Sequence, residues 1–199
     1  MATTGVNARG LWPVRRLDGQ PPAAAKRYPT GSNARTLMLG DPVFLQTTTR
    51  TIQRYEAAFT TAGGPAILGV VVGLLNTDGR PLTHATEKQI AVSGAGFVLV
   101  CDDPDALYEG EILASVGQSN VGNFVTIASG TRVTANGNSG LRLASPVVTA
   151  AGHPFQIYSL APTEIDGVGG SANNILVRIS NHAFQRSTRI VGPLEGADA

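Results

Sequence analysis

The chain has 199 residues, of which 42% are hydrophobic and only 15% are charged, so its apolar surface suffices for one domain with a sizeable core. Its 24 glycines and 12 prolines exclude a mainly helical protein, because both residues interrupt helices. The single cysteine excludes an internal disulfide, and the formal net charge is only +1. We therefore expect an all-β protein: a single compact β-barrel or β-sandwich domain with an extended N-terminal arm.

Residues 1–36 are predicted to form the arm, because they contain four prolines and four glycines and show no periodic apolar pattern. We expect no packed element there. The arm has a net charge of +5 and the rest of the chain −4, so a basic arm precedes an acidic body. Since the arm holds the only tryptophan, Trp12, it should bury against a surface. That surface is its own body or a neighbouring subunit, and the sequence favours neither.

The first strands of the body alternate apolar and polar residues. Residues 37–45 do so around a Gly-Asp-Pro sequence, which is typical of an edge or bulged strand. Residues 66–75 predict a second, buried strand, in which Gly69 and Gly73 suit a bulge or close barrel packing. Residues 76–79 then give a hairpin turn.

The stretch 97–113 is the most informative part of the body. Its first half is apolar on both faces, which is typical of a strand buried on both sides. Residues 103–105, Asp-Pro-Asp, predict a type I turn, because proline fixes φ and aspartate caps the turn through its side chain. Beyond the turn, Glu109 and Glu111 should face solvent. We expect a central β-hairpin or β-corner.

The remainder of the body predicts one helical turn near residues 119–124 and a strand at 155–160. In the final strand, Ile175, Val177 and Ile179 should face inwards. Arg178, Ser180 and His182 should face outwards. In total we expect eight to ten strands in a body that comprises residues 37–192. Residues 193–199 should form a flexible tail.

The residues offer no catalytic or cofactor-binding constellation, so we expect no enzyme activity and no cofactor. None of the three histidines has a second histidine or cysteine at a metal-ligand spacing, which argues against a zinc site. His182 is predicted to lie on the surface, and Cys101 to be an inert core thiol. The glycine-rich residues 167–170 are followed by a strand, whereas a phosphate loop needs a helix N-terminus.

Asp102, Asp103 and Asp105 form the densest charge cluster. Three carboxylates in four positions are able to hold Ca²⁺, but they lack calcium-loop spacing and the predicted turn explains most of them, so we expect no metal. We also expect no nucleic acid as partner, because the net positive charge is confined to the arm, without an aromatic platform, and the body is acidic. The longest apolar run, residues 66–75, is half a membrane span, and no signal peptide is visible. We therefore expect a soluble protein made in the cytoplasm, with no membrane as partner.

Five segments, in this order, resemble a family of structural proteins of tailed bacteriophages, the head decoration or cement proteins. They are GLWPVRRLDGQP, GDPVFL, AILGVVVGLL, VCDDPDALYEGEI and ILVRISNHAF. The correspondence extends from about Gly10 to Ile190, and the DDPD segment is its most specific part. Cys101 departs from the pattern, because a small or β-branched residue is expected there.

The resemblance implies a non-enzymatic virion protein on the outer surface of the capsid, made in the host cytoplasm. Such a protein binds the major capsid protein and stabilises the shell by bridging neighbouring subunits. It also implies a homo-oligomer, with a dimer or trimer expected near symmetry axes. The arm would be the grip, through apolar anchors and through arginines that bind capsid carboxylates. The arm residues expected to contact the capsid or another subunit are Leu11, Trp12, Val14, Arg15, Arg16, Leu17 and Tyr28.

Two other functions stay open at this point. The first is a tail- or fibre-associated β-module that binds a receptor or glycan, although an aromatic content of 6% offers little stacking surface. The second is a small β-barrel hydrolase, which the lack of convergent polar residues disfavours. The position in the virion (head, neck or tail) is also open.

Overall fold

The structure is a computed structural model that describes residues 10–31, 36–59, 64–82, 89–90, 95–128, 139–147, 153–161 and 173–184. These residues form a compact all-β body, as expected, with twelve strands and two single-turn 3₁₀ helices. The strands are β1 (Trp12–Arg16), β2 (Lys26–Thr30), β3 (Pro42–Leu45), β4 (Ile52–Arg54), β5 (Gly69–Leu75), β6 (Gly96–Cys101), β7 (Ala106–Ile112), β8 (Phe124–Val125), β9 (Ile127–Ala128), β10 (Arg142–Leu143), β11 (Phe155–Leu160) and β12 (Asn173–Ile179). The 3₁₀ helices are Ala57–Phe59 and Gln118–Asn120, and the second overlaps the predicted helical turn.

Five strands close into a small barrel in the order β2-β4-β3-β5-β6. The register of β5 against β6 shifts between Val71 and Gly73, which is the bulge that the glycine pattern predicted. Because of this extra residue, Val71 and Leu74 both belong to the barrel core although they are three positions apart. The barrel is filled mainly by branched side chains: Leu37, Val43, Ile52, Leu68, Val71, Leu74, Ile90, Val98 and Val100.

The second sheet is built around β7. This strand pairs with β12 along one edge, and with β1 and then β10 along the other. The sheet follows the path β8-β11-β12-β7-β10-β9, and only Thr126 separates its two end strands, so it nearly closes. Val70 and Cys101 of the barrel belong to the same apolar cluster as Tyr108 and Ile112 of β7. The two sheets therefore share one core.

The chain forms a β-corner within the stretch 97–113, one of the two predicted alternatives. β6 belongs to the barrel, whereas β7 belongs to the second sheet. The turn between them has the predicted chemistry, since the Ala106 amide donates to the Asp103 carbonyl at 3.2 Å. The Asp105 amide donates to the Asp103 carboxylate at 3.0 Å, so the aspartate side chain does cap the turn.

Burial of β6 differs from the prediction. Val98 and Val100 are fully buried, but Phe97 and Leu99 on the other face are only half-buried. The second sheet covers that other face only near its end, at Cys101. Further along, the Arg27 guanidinium lies over the Phe97 ring, 4.3 Å from its centroid. The expectation of a strand buried on both faces is therefore wrong.

The acidic residues of β7 also differ from the prediction. Glu111 is 6% exposed and accepts a hydrogen bond from the Arg142 Nε at 3.1 Å, and Glu109 is half-buried. The expectation that both carboxylates face solvent is therefore wrong, because β10 and β1 lie beside β7.

The predicted arm contributes two strands to the sheets. β1 pairs with β7, and β2 is antiparallel to β6 across five residue pairs. The expectation of no packed element is therefore wrong for residues 10–31, and the alternative of a segment that folds back over its own body describes them. A strand that adds to an edge gains main-chain hydrogen bonds without needing a periodic apolar pattern. Residues 1–9, 32–35 and the predicted tail lie outside the described residues.

Gly69 tests the close packing of β5 against β6. A Cβ at this position would overlap the Cys101 carbonyl oxygen, so we expect Gly69→Ala to lower the free energy of unfolding by about 2 kcal/mol or more. The matched control is Gly117→Ala, because no atom lies within 4 Å of a Cβ there and φ is −119°. Urea unfolding monitored by circular dichroism measures both. Equal stability of the two variants would contradict the packing described here.

Candidate functional site

A cluster of charged and polar side chains lies where the chain passes from the barrel to the second sheet. We call this cluster the clasp. It comprises Asp102, Asp103 and Asp105 of the corner with Arg16, Lys26 and Tyr28 of the predicted arm. β1 and β2 bring the three arm residues here, because they pair with the strands on either side of the corner.

Asp102 is the most buried acid of the cluster, at 3% exposed. Its Oδ2 accepts hydrogen bonds from the Tyr28 hydroxyl at 2.6 Å and from the Lys26 ammonium at 3.0 Å. Burial and the neighbouring carboxylate both raise the pKa of Tyr28 far above its usual value of 10.0, so the phenol stays a donor at all physiological pH. A buried carboxylate needs such partners, and here both come from β2.

Arg16 binds the remaining acids of the corner. Its guanidinium lies 3.1 Å from Asp103, 3.4 Å from Asp105 and 3.3 Å from Asp18. Asp103 is also buried and accepts the Ala23 amide at 3.1 Å. The segment between β1 and β2 is thus fastened to the corner by side-chain and main-chain contacts.

The contacts of the clasp all lie within one chain. Its acids are occupied by cations and donors of the same chain, and no group of three or more His, Cys, Asp or Glu residues within the described ranges is arranged to hold a metal ion. The cluster fastens the N-terminal segment across the junction of the two sheets.

His182 and Phe184 lie beside the clasp. His182 was predicted to be a surface residue, but it is 5% exposed. The prediction is wrong because the chain continues past β12 and pairs with Ile67: the Ile67 amide donates to the Asn181 carbonyl, and the Ala183 amide donates to the Ile67 carbonyl. Burial lowers the pKa of His182 below its usual value of 6.5, although the corner carboxylates oppose this shift.

The seven arm residues expected to bind a partner fall into two groups. Leu11 is fully buried in the shared core, while Arg16 and Tyr28 belong to the clasp. These three hold the body together. The other four reach the surface to different extents, with Trp12 half-buried and the rest exposed: Val14 at 45%, Leu17 at 37%, and Arg15.

Strand register places Trp12 and Arg15 on the outer face of the second sheet. Trp12 lies opposite Glu109, and Arg15 lies opposite Leu107, which in turn lies opposite Arg178 of β12. Directly opposed residues share a face, and Tyr108, between Leu107 and Glu109, points to the core on the other side. The outer face therefore carries Arg15 and Arg178 in one row. The outward alternation of β12 indicated the exposure of Arg178, but only the pairing of β1 with β7 shows the two arginines together.

Cys101 and the tyrosines do not form a reactive group. Burial raises the pKa of the Cys101 thiol, so it stays protonated near neutral pH, as expected of a core thiol. Tyr108 is fully buried and donates its hydroxyl proton to the Cys101 carbonyl at 3.0 Å.

Within the described part of the chain, no helix has the length and apolar character needed to span a membrane.

No protein-family model matches this chain, and no curated protein and no solved structure does so either. The likeness to decoration proteins therefore depends on the five sequence segments alone.

Tyr28→Phe tests the clasp. The change removes one hydrogen bond to a buried carboxylate and keeps the ring, so we expect a loss of about 2 kcal/mol in the free energy of unfolding. Tyr158→Phe removes a hydroxyl from a tyrosine that is 40% exposed and should cost less than about 0.5 kcal/mol. Urea unfolding compares the two. A loss for Tyr28→Phe as small as that of the control would show that Asp102 does not depend on the hydroxyl.

Calcium should not stabilise the protein. Because Lys26 and Arg16 already neutralise the corner acids, we expect the melting temperature to be the same with added Ca²⁺ and with EDTA. Differential scanning fluorimetry measures this, and Asp105→Asn serves as a comparison with one carboxylate fewer. A rise with Ca²⁺ that EDTA reverses, and that Asp105→Asn lacks, would show a cation site at the corner.

Proposed function

We propose that this chain is a non-enzymatic structural protein of a bacteriophage virion that binds the outer surface of the capsid. Its partner is the major capsid protein, and its effect is to stabilise the shell by bridging neighbouring subunits. The observation that carries the proposal is the placement of Trp12 and Arg15 by β1 on the outer face of the second sheet, in the row that also holds Arg178. The five resembling segments add support.

The residue types on this face suit adhesion. Trp and Arg are the residues that most often dominate the binding energy of a protein interface. The guanidinium is a planar fork that binds a carboxylate through two hydrogen bonds, so Arg15 and Arg178 match acidic residues of a shell. Val14, 45% exposed at the bulge of β1, adds apolar surface beside them.

The residues proposed to contact the capsid differ from those expected of a free arm. Arg16, Leu11 and Tyr28 are engaged within the chain, so the proposed capsid contacts are Trp12, Val14, Arg15 and Leu17. Their backbone is fixed by the pairing of β1 with β7. A contact surface that is already ordered loses less conformational entropy on binding than a flexible arm does.

Many copies around a shell multiply a modest affinity. If neighbouring copies also associate, each contact with the capsid raises the effective concentration for the next. A dimer or trimer fits symmetry axes of a capsid, because closed symmetry lets one surface be used by every copy. A protein with this task needs a stable body and a surface, and it needs no reactive centre.

The double variant Arg15→Glu/Arg178→Glu tests the grip. Reversing two charges in one row should weaken binding to shells stripped of this protein at least about tenfold, which corresponds to about 1.4 kcal/mol. Co-sedimentation with the purified shells gives the saturation curve. Point variants are preferred to deletion of residues 1–36, because the deletion removes β1, β2 and the clasp.

Arg80→Glu is the matched control. Arg80 is exposed in the turn after β5, on the barrel, and the variant makes the same kind of charge change away from the proposed face. It should bind as the wild type does. Binding by the double variant at wild-type strength would remove this face as the grip, and failure of the wild type to bind shells at all would remove the proposed function.

A further inference from the structure

The buried histidine beside the clasp has a hydrogen bond that depends on its protonation state. The Phe184 amide donates to His182 Nδ1 at 3.0 Å. A backbone amide is only a donor, so Nδ1 must be unprotonated and the neutral ring carries its proton on Nε2. This bond spans two residues, as an Asx turn does, and it fixes the chain where it leaves the Ile67 pairing.

The charged groups around the ring come from several elements. The carboxylates of Asp102, Asp103 and Asp105 in the corner favour a positive charge on the imidazole, as does the backbone of Leu68. Burial of the ring opposes that charge and is the stronger effect, so the pKa of His182 is lowered. Lys26 of β2 also belongs to these surroundings.

A chain of contacts links this ring to the clasp. The His182 and Phe184 rings lie 6.0 Å apart, and the Lys26 ammonium lies 5.8 Å from the Phe184 ring centroid. The same ammonium is 3.0 Å from Asp102. Phe184 is 51% exposed, so its ring is largely outside the core.

We propose that His182 is an acid-sensitive latch for the backbone at residues 183–184. Protonation of Nδ1 turns an acceptor into a donor, so the hydrogen bond to the Phe184 amide cannot persist. The corner carboxylates favour the positive charge that forms on the ring. Phe184 is released from its place between His182 and Lys26. The inference does not depend on the proposed function.

The direction of the pH effect follows from the lowered pKa. The closed latch holds His182 neutral, whereas an open latch lets it titrate near its usual value of 6.5. The closed state is therefore fully favoured above pH 6.5 and loses stability as the pH falls from there through the lowered pKa. Between these two values the opening equilibrium should increase by up to about tenfold per pH unit.

Amide hydrogen exchange of Phe184 in the full chain, followed by NMR and corrected for intrinsic exchange rates, tests the latch. We expect protection to fall by up to about tenfold per pH unit below pH 6.5. In His182→Asn, the amide oxygen occupies nearly the place of Nδ1 and accepts the same hydrogen bond without titrating. Protection in this variant should not change with pH. His153→Asn, which changes a half-buried histidine outside residues 181–184, should respond as the wild type does.

A second measurement does not depend on how well the variants fold. Long-range proton–nitrogen correlation spectra of the wild type should show His182 Nδ1 unprotonated at neutral pH and protonated in acid. Three results would each overturn the proposal: a protonated Nδ1 at neutral pH, Phe184 protection that is independent of pH in the wild type, or a pH response that persists in His182→Asn.

Discussion

The carboxylate of Asp102 is the constraint on which the arrangement of the two sheets depends. It is buried where the chain leaves the barrel, and a buried charge is costly unless it is paired and hydrogen-bonded. Lys26 and Tyr28 supply that pairing from β2, more than seventy residues away in sequence. The need to satisfy one carboxylate therefore fixes β2 on β6. Arg16 does the same for Asp103 at the end of β1, so both N-terminal strands are fastened at one corner.

This arrangement separates the basic residues of the N-terminal segment into two roles. Side chains that point to the corner bind groups of the same chain, whereas Arg15 and Arg178 on the outer face of the second sheet are exposed to solvent. A strand makes this separation naturally, because successive residues point to opposite sides. The proposed adhesive surface is thus a consequence of the same pairing that builds the body. A rigid surface of this kind suits the proposed attachment to a capsid.

The buried histidine gives the same corner a second property. His182 adds an imidazole to these surroundings, and burial lowers its pKa below the usual 6.5. Because its Nδ1 accepts a main-chain hydrogen bond, the change in charge acts directly on the backbone at residues 183–184.

The sequence by itself determined the all-β class, the turn at residues 103–105 and the bulged strand β5. Each of these follows from local chemistry: glycine and proline content, a proline that fixes φ beside a capping aspartate, and glycines where backbones approach closely. Only the tertiary structure decided that residues 10–31 join both sheets, that Glu111 and His182 are buried, and that Arg15 shares a row with Arg178. The physical reason is that edge pairing relies on main-chain hydrogen bonds, and every residue except proline has both the N–H donor and the carbonyl acceptor. Edge pairing therefore leaves no periodic pattern in the sequence. Burial of a charged or titratable side chain likewise depends on partners distant in sequence, as Arg142 is for Glu111.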